Sequence, residues 1–135
     1  MLNIKNWLAR KVYFYLGLLW TCFILYACLA EATSIPKTSF FTIPNKDKIA
    51  HFTLYCVFSL IWFLFSNKKN NDKKSKIRTG IVIFTIATFL GGGVELMQYF
   101  FTDSRSAEWA DCIANSLGSA IGILLGLLIT THKKK

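Results

Sequence analysis

Residues 79–101 read TGIVIFTIATFLGGGVELMQYFF, and one side chain in the run, Glu95, carries a formal charge. At ~1.5 Å rise per residue, a helix over this run spans a ~30 Å hydrocarbon core. The apolar residues predict a membrane-spanning helix. Glu95 is the exception, and an ionisable group inside such a run is costly enough to be a functional-site candidate by default.

Three further apolar runs flank this one, at residues 12–30, 49–66 and 109–131. The fold class expected is all-α: a polytopic four-transmembrane-helix bundle forming a single domain over residues 1–135. Composition agrees. The chain is 53% hydrophobic and 17% charged, with mean hydropathy +0.41, which is too apolar for an ordinary soluble domain of this size. The first run has features of a signal peptide, and Leu25-Tyr26-Ala27-Cys28 is close to a lipoprotein cleavage site. Tyr26 is bulky for that role, and the apolar stretch exceeds the usual ~7–15 residues, so a retained helix is expected.

The net charge is +9. Twelve of the 16 basic residues lie before the first run, in the linker 67–78 (NKKNNDKKSKIR) or in the C-terminal tail. Under the positive-inside rule both termini and this linker are cytoplasmic, and loops 31–48 and 102–108 face outward. The linker is read as a solvated charge run that sets topology. No soluble segment interleaves basic and aromatic residues, so no nucleic-acid partner is expected; membrane lipids are. Cys22, Cys28, Cys56 and Cys112 all fall in apolar runs without a C-x-x-C pair, which argues against disulfides and a zinc site.

This topology gathers polar residues at one side of the membrane. Asp47, His51 and Tyr55 stand at i, i+4 and i+8 on one helical face. Glu95 and Gln98 lie one turn apart in the outer third of the third run. Arg105 falls on the short outer loop, and Asp111 and Asn115 occupy the first turns of the fourth run. Structural readings stand beside the functional one. Asp47 and Asp111 suit helix N-termini, Asn115 suits interhelical hydrogen bonding, and a Glu95–His51 or Glu95–Arg105 pair would satisfy both members. Gly118, Gly122 and Gly126 form a ridge for close packing, against the second or third helix rather than a second copy. Gly91-Gly92-Gly93 either loosens the third helix or admits a neighbour.

The ordered set Asp47-Lys48, His51-Phe52, Tyr55, Glu95-x-x-Gln98, Arg105 and Asp111-x-x-x-Asn115-x-x-Gly118-x-x-x-Gly122 resembles the signature of VanZ-like membrane proteins. The resemblance covers most of the chain, with the triple glycine and the lysine-rich linker outside the pattern. It implies a small multi-pass protein of the bacterial cytoplasmic (inner) membrane and an association with glycopeptide (teicoplanin) resistance.

Three functions are open on the residues. In the first, an outer-leaflet site binds or modifies a cell-envelope lipid or lipid-linked cell-wall precursor. Arg105 would hold an anionic group, Asp47, Tyr55, Gln98 and Asn115 would complete the binding site, and His51, Glu95 and Asp111 would serve as acid and base. In the second, the polar cluster only locks the helices of a non-catalytic scaffold or accessory subunit. In the third, His51, Glu95 and Asp111 hold a metal; without H-E-x-x-H or a second nearby histidine, no metal and no cofactor are assigned. Four short helices leave little room for the two alternating halves of a transporter.

Overall fold

A computed structural model describes residues 4–30, 45–67, 72–102 and 108–132. They form four helices, α1 (Ile4–Leu29), α2 (Lys46–Ser66), α3 (Lys73–Phe101) and α4 (Trp109–His132), with no strand among the described residues. All four are long and apolar enough to cross a membrane. The expected spans are present, and two helices reach beyond them. α1 begins at Ile4 instead of residue 12, and α3 begins at Lys73 instead of residue 79. Lys and Arg are good helix formers, so helix continues past the point where hydropathy falls. Asp72 caps α3, its carboxylate accepting from Ser75 N–H at 3.3 Å. Asn45 precedes α2 in left-handed conformation (φ 58°), so Asp47 belongs to the first helical turn and is not the N-cap.

Interhelical contacts give the directions. Trp20 Nε1 donates to Leu54 O at 2.9 Å, and the Phe14 and Phe65 rings lie 5.6 Å apart, so α1 and α2 are antiparallel. His51 pairs with Asn115 and Gly122 faces the Cys56 backbone, so α2 and α4 run the same way. Lys76 donates to Thr130 O at 3.0 Å and Gly91 faces Asn115, so α3 opposes α4. The bundle is up-down-up-down. One end carries the lysine-rich start of α3; the other joins the starts of α2 and α4 to the ends of α1 and α3.

The glycine ridge of α4 packs against α2. A Cβ at Gly118 or Gly122 would collide with the carbonyl oxygen of Phe52 or Cys56, and one at Gly126 would strike the Phe63 ring. Only glycine lets these two backbones approach so closely. Of the triple glycine, Gly91 admits a side chain rather than a backbone: its Cβ would stand 2.9 Å from Asn115 Nδ2.

The small core follows. Ile24, Cys28, Tyr55, Phe58, Ala87 and Val94 form its larger cluster, and Phe63, Ile83 and Ile123 a second. Leu19, Ile81, Phe89, Leu96 and Leu128 are more than half exposed, a liability in water and the natural outer surface of a bundle in lipid. Lys76 departs from the reading of the linker as a solvated run. It is buried, and its ammonium meets a carbonyl of the last turn of α4, where a cation is favoured.

Candidate functional site

The starts of α2 and α4 and the end of α3 bring six of the expected residues to one end of the bundle. His51, Tyr55, Glu95, Gln98, Asp111 and Asn115 are each at most 4% exposed. Asp47 lies on the exposed rim. Arg105 lies outside the described residues, so the expected Glu95–Arg105 alternative falls there too.

 

His51 sits at the centre. Its Nδ1 lies 3.0 Å from Asn115 Oδ1. Because that oxygen can only accept, neutral His51 carries its proton on Nδ1 and keeps Nε2 as an acceptor. Glu95 Oε1 stands 3.9 Å from the same Nδ1, too far for a hydrogen bond. The expected Glu95–His51 pair is therefore a neighbouring charge and not a bond. Glu95 Oε2 accepts the backbone N–H of Glu108 at 3.2 Å, which ties the end of α3 to the start of α4.

Lys48 and Glu108 belong to this end of the bundle, and the sequence reading did not select them as site residues. Lys48 Nζ donates to Glu108 Oε2 at 2.8 Å and lies 3.8 Å from Asp111 Oδ1. The Lys48 ammonium holds the Glu108 carboxyl below the usual carboxylate range. The available signal was the position of Lys48, one residue from Asp47 and three from His51. Gln98 takes a different partner: its Nε2 donates to Cys28 O at 2.7 Å, tying α3 to the last turn of α1.

Among the described residues, four buried atoms of the expected site make no hydrogen bond: Tyr55 OH, Glu95 Oε1, Asp111 Oδ1 and Asn115 Nδ2. Leaving such groups unpaired costs roughly 1–3 kcal/mol each, and more where a group is charged. They come from three helices and offer both donors and acceptors to a polar ligand.

For a metal, the geometry favours a different trio from the one expected. Asp47, His51 and Asp111 offer ligand atoms within 4.8 Å of one another, and Glu95 is not in the group. Zinc bonds of ~2.0–2.2 Å would require the side chains to draw closer, while the Lys48 ammonium beside Asp111 already supplies a positive charge.

A cleft of about 760 Å³ opens between α3 and α4 next to this cluster. Glu95, Glu108, Gly92, Gly93, Leu96 and Trp109 are among the residues lining it.

A family model described as VanZ/LLP1 matches residues 8–130, nearly the whole chain. An uncharacterized protein of Schizosaccharomyces pombe is 29% identical over 112 residues, covering 83% of this chain. The chain spans 60% of the length of that relative. No solved structure matches significantly.

Proposed function

The chain belongs to the VanZ/LLP1 family of membrane proteins, and we propose that its buried polar end binds, and by acid–base chemistry acts on, the head group of a membrane lipid or lipid-linked cell-envelope precursor. The observation that carries this reading is the set of buried atoms on Tyr55, Glu95, Asp111 and Asn115 that make no hydrogen bond among the described residues. A cluster that served only to lock helices would pair its members, because each orphan in a low-dielectric interior is destabilising. Here His51 and Asn115 pair, while Asp111 Oδ1 and Glu95 Oε1 have charged neighbours only beyond hydrogen-bond distance, Lys48 at 3.8 Å and His51 at 3.9 Å.

The geometry supports a set of roles. His51, with its proton on Nδ1 set by Asn115, has Nε2 as its basic nitrogen. Glu95 and Asp111 supply carboxylates for head-group hydroxyls or for proton transfer. Lys48 supplies positive charge beside Asp111, and Arg105 would add a forked donor for a phosphate. Asp47 would contribute at the rim.

The cytoplasmic termini, the outer-leaflet position of the cluster and the bacterial inner membrane are parts of the same proposal. They are supported by the distribution of Lys and Arg. The link to teicoplanin resistance is its narrowest part. A relative in a yeast weighs towards a head group common to many membranes.

The test is teicoplanin susceptibility of a sensitive Gram-positive host expressing wild type, Glu95→Gln or His51→Ala at equal membrane levels, with phosphatidylglycerol binding measured by native mass spectrometry. Protection and binding by the wild type, both lost in the variants, support the reading. Binding without protection removes the resistance role and keeps the lipid site. Absence of both refutes the proposal.

The second reading is a metal centre at Asp47, His51 and Asp111, favoured by the mutual proximity of their ligand atoms. Stoichiometric zinc in the purified protein, lost in Asp111→Asn, would support it.

A further inference from the structure

Gly92 and Gly93 sit in the middle of a transmembrane helix, and a Cβ at either would meet nothing within 4 Å. This sets them apart from Gly91, which makes room for Asn115. Glycine weakens a helix interior, and at these two positions no neighbouring helix requires it. Both residues line the cleft between α3 and α4. The bare backbone keeps that cleft open where an ordinary side chain would fill it.

The cleft has the dimensions and chemistry of a lipid-chain site. Along α3 its lining runs from Thr88 to Tyr99, roughly 16 Å at ~1.5 Å per residue, or about half of a ~30 Å hydrocarbon core. It is thus one leaflet long. Its walls include Phe89, Leu96 and Trp109, all strongly exposed on the outside of the bundle, so in a membrane the cleft opens sideways into hydrocarbon. Its acidic groups are Glu95, whose buried Oε1 makes no hydrogen bond among the described residues, and Glu108. Tyr99 and Trp109 stand near this polar end, where amphipathic rings suit the boundary between chains and head groups.

We propose that this cleft binds one hydrocarbon chain of the lipid ligand, with Gly92 and Gly93 as its floor and Glu95 at its polar end. The inference rests on the proposed head-group site and adds the route by which a lipid reaches it: laterally from its own leaflet, with the chain lying along α3 and the head group turned inward beside Glu95. Substituents at positions 92 and 93 then set the chain bulk the site accepts.

The experiment uses the full-length protein in phosphatidylcholine vesicles containing phosphatidylglycerol with a photoactivatable diazirine on one acyl chain. Wild type should be labelled preferentially at residues 88–99 and 109–112 over the exposed faces bearing Leu19 and Leu124. Gly93→Phe, or the smaller change Gly92→Leu, should reduce that labelling at least about fivefold. Both should raise the melting temperature in detergent, because the new side chain enters open space on a helix that gains propensity. Uniform labelling of all lipid-facing surfaces, or labelling unchanged in both stably folded variants, would overturn the proposal.

Two further arms separate the cleft from the head-group reading. Glu95→Gln should abolish binding of water-soluble dihexanoyl phosphatidylglycerol while Gly93→Phe retains it. Preferential cleft labelling by a diazirine diacylglycerol, together with no binding of the short-chain lipid to wild type, would keep the chain site and reject the head-group site. Short-chain binding with uniform labelling would do the reverse.

Discussion

The side chains of His51 and Asn115 meet at 3.0 Å, 64 positions apart in sequence and on two helices that run in the same direction. The bond stands beside the glycine contacts that bring α4 onto α2. It couples the orientation of the imidazole to the packing of the bundle.

Truncating one partner should therefore cost more than truncating both. Asn115→Ala strands the buried Nδ1 proton of His51, and a loss of roughly 1–3 kcal/mol in unfolding free energy is expected. In His51→Leu/Asn115→Leu much of that loss should be recovered, because paired apolar replacements leave no orphan. Thermal or denaturant unfolding in detergent, arranged as a double-mutant cycle, checks this. The double variant should be stable and devoid of lipid binding. A purely structural cluster predicts full binding by the same protein.

Gly118→Ala places a methyl group against the Phe52 carbonyl. Backbone cannot step aside as a flexible side chain can, so destabilisation of about 3 kcal/mol, the upper part of the range for overpacking, is expected. Gly92→Ala should be neutral or stabilising, since the same methyl group meets nothing there. Comparing the two melting temperatures separates packing glycines from cleft glycines on one protein.

Lys76→Met keeps the length of the side chain and removes the ammonium that Thr130 O accepts from. A loss of about 1 kcal/mol, with faster amide exchange confined to the last turn of α4, is expected from losing a helix C-terminal cation. Lys73→Met and Lys74→Met, at exposed positions of the same run, should change neither quantity.

The Lys48–Glu108 pair gives a pH dependence with a definite sign. The Glu108 carboxyl is held below its ordinary range by the Lys48 hydrogen bond. A depressed acid favours the folded state above its unfolded pKa, about 4.3 for glutamate, and that contribution is lost as pH falls through the lower folded value. The half-exposed carboxylate makes the effect small. Melting temperature should decline on acidification below about pH 4.3, and Glu108→Gln should flatten that limb without changing the profile near neutrality.

Much of this arrangement was legible in the chain. Hydropathy alone located the four spans, and alternation of direction placed His51, Glu95 and Asp111 at a common end. The early start of α3 was hidden because Lys73–Arg78 combine good helix propensity with low hydropathy. The burial of Lys76 was hidden for a related reason: a charge run gives no sign that one of its members turns inward onto the end of another helix. Partner choice was the least readable property. Glu95 bonds to the Glu108 backbone rather than to His51, and Gln98 to the Cys28 carbonyl. Those choices depend on helix rotation and crossing angles, which periodicity does not specify.

The parallel seam between α2 and α4 also carries a consequence for biogenesis. His51 enters the membrane with the second helix and Glu95 with the third, but Asn115 and Asp111 arrive only with the fourth. Until α4 docks along Phe52 and Cys56, the earlier helices hold ionisable groups in lipid without their partners. The polar end is thus completed only when α4 inserts, and until then the groups carried by α2 and α3 face lipid without it.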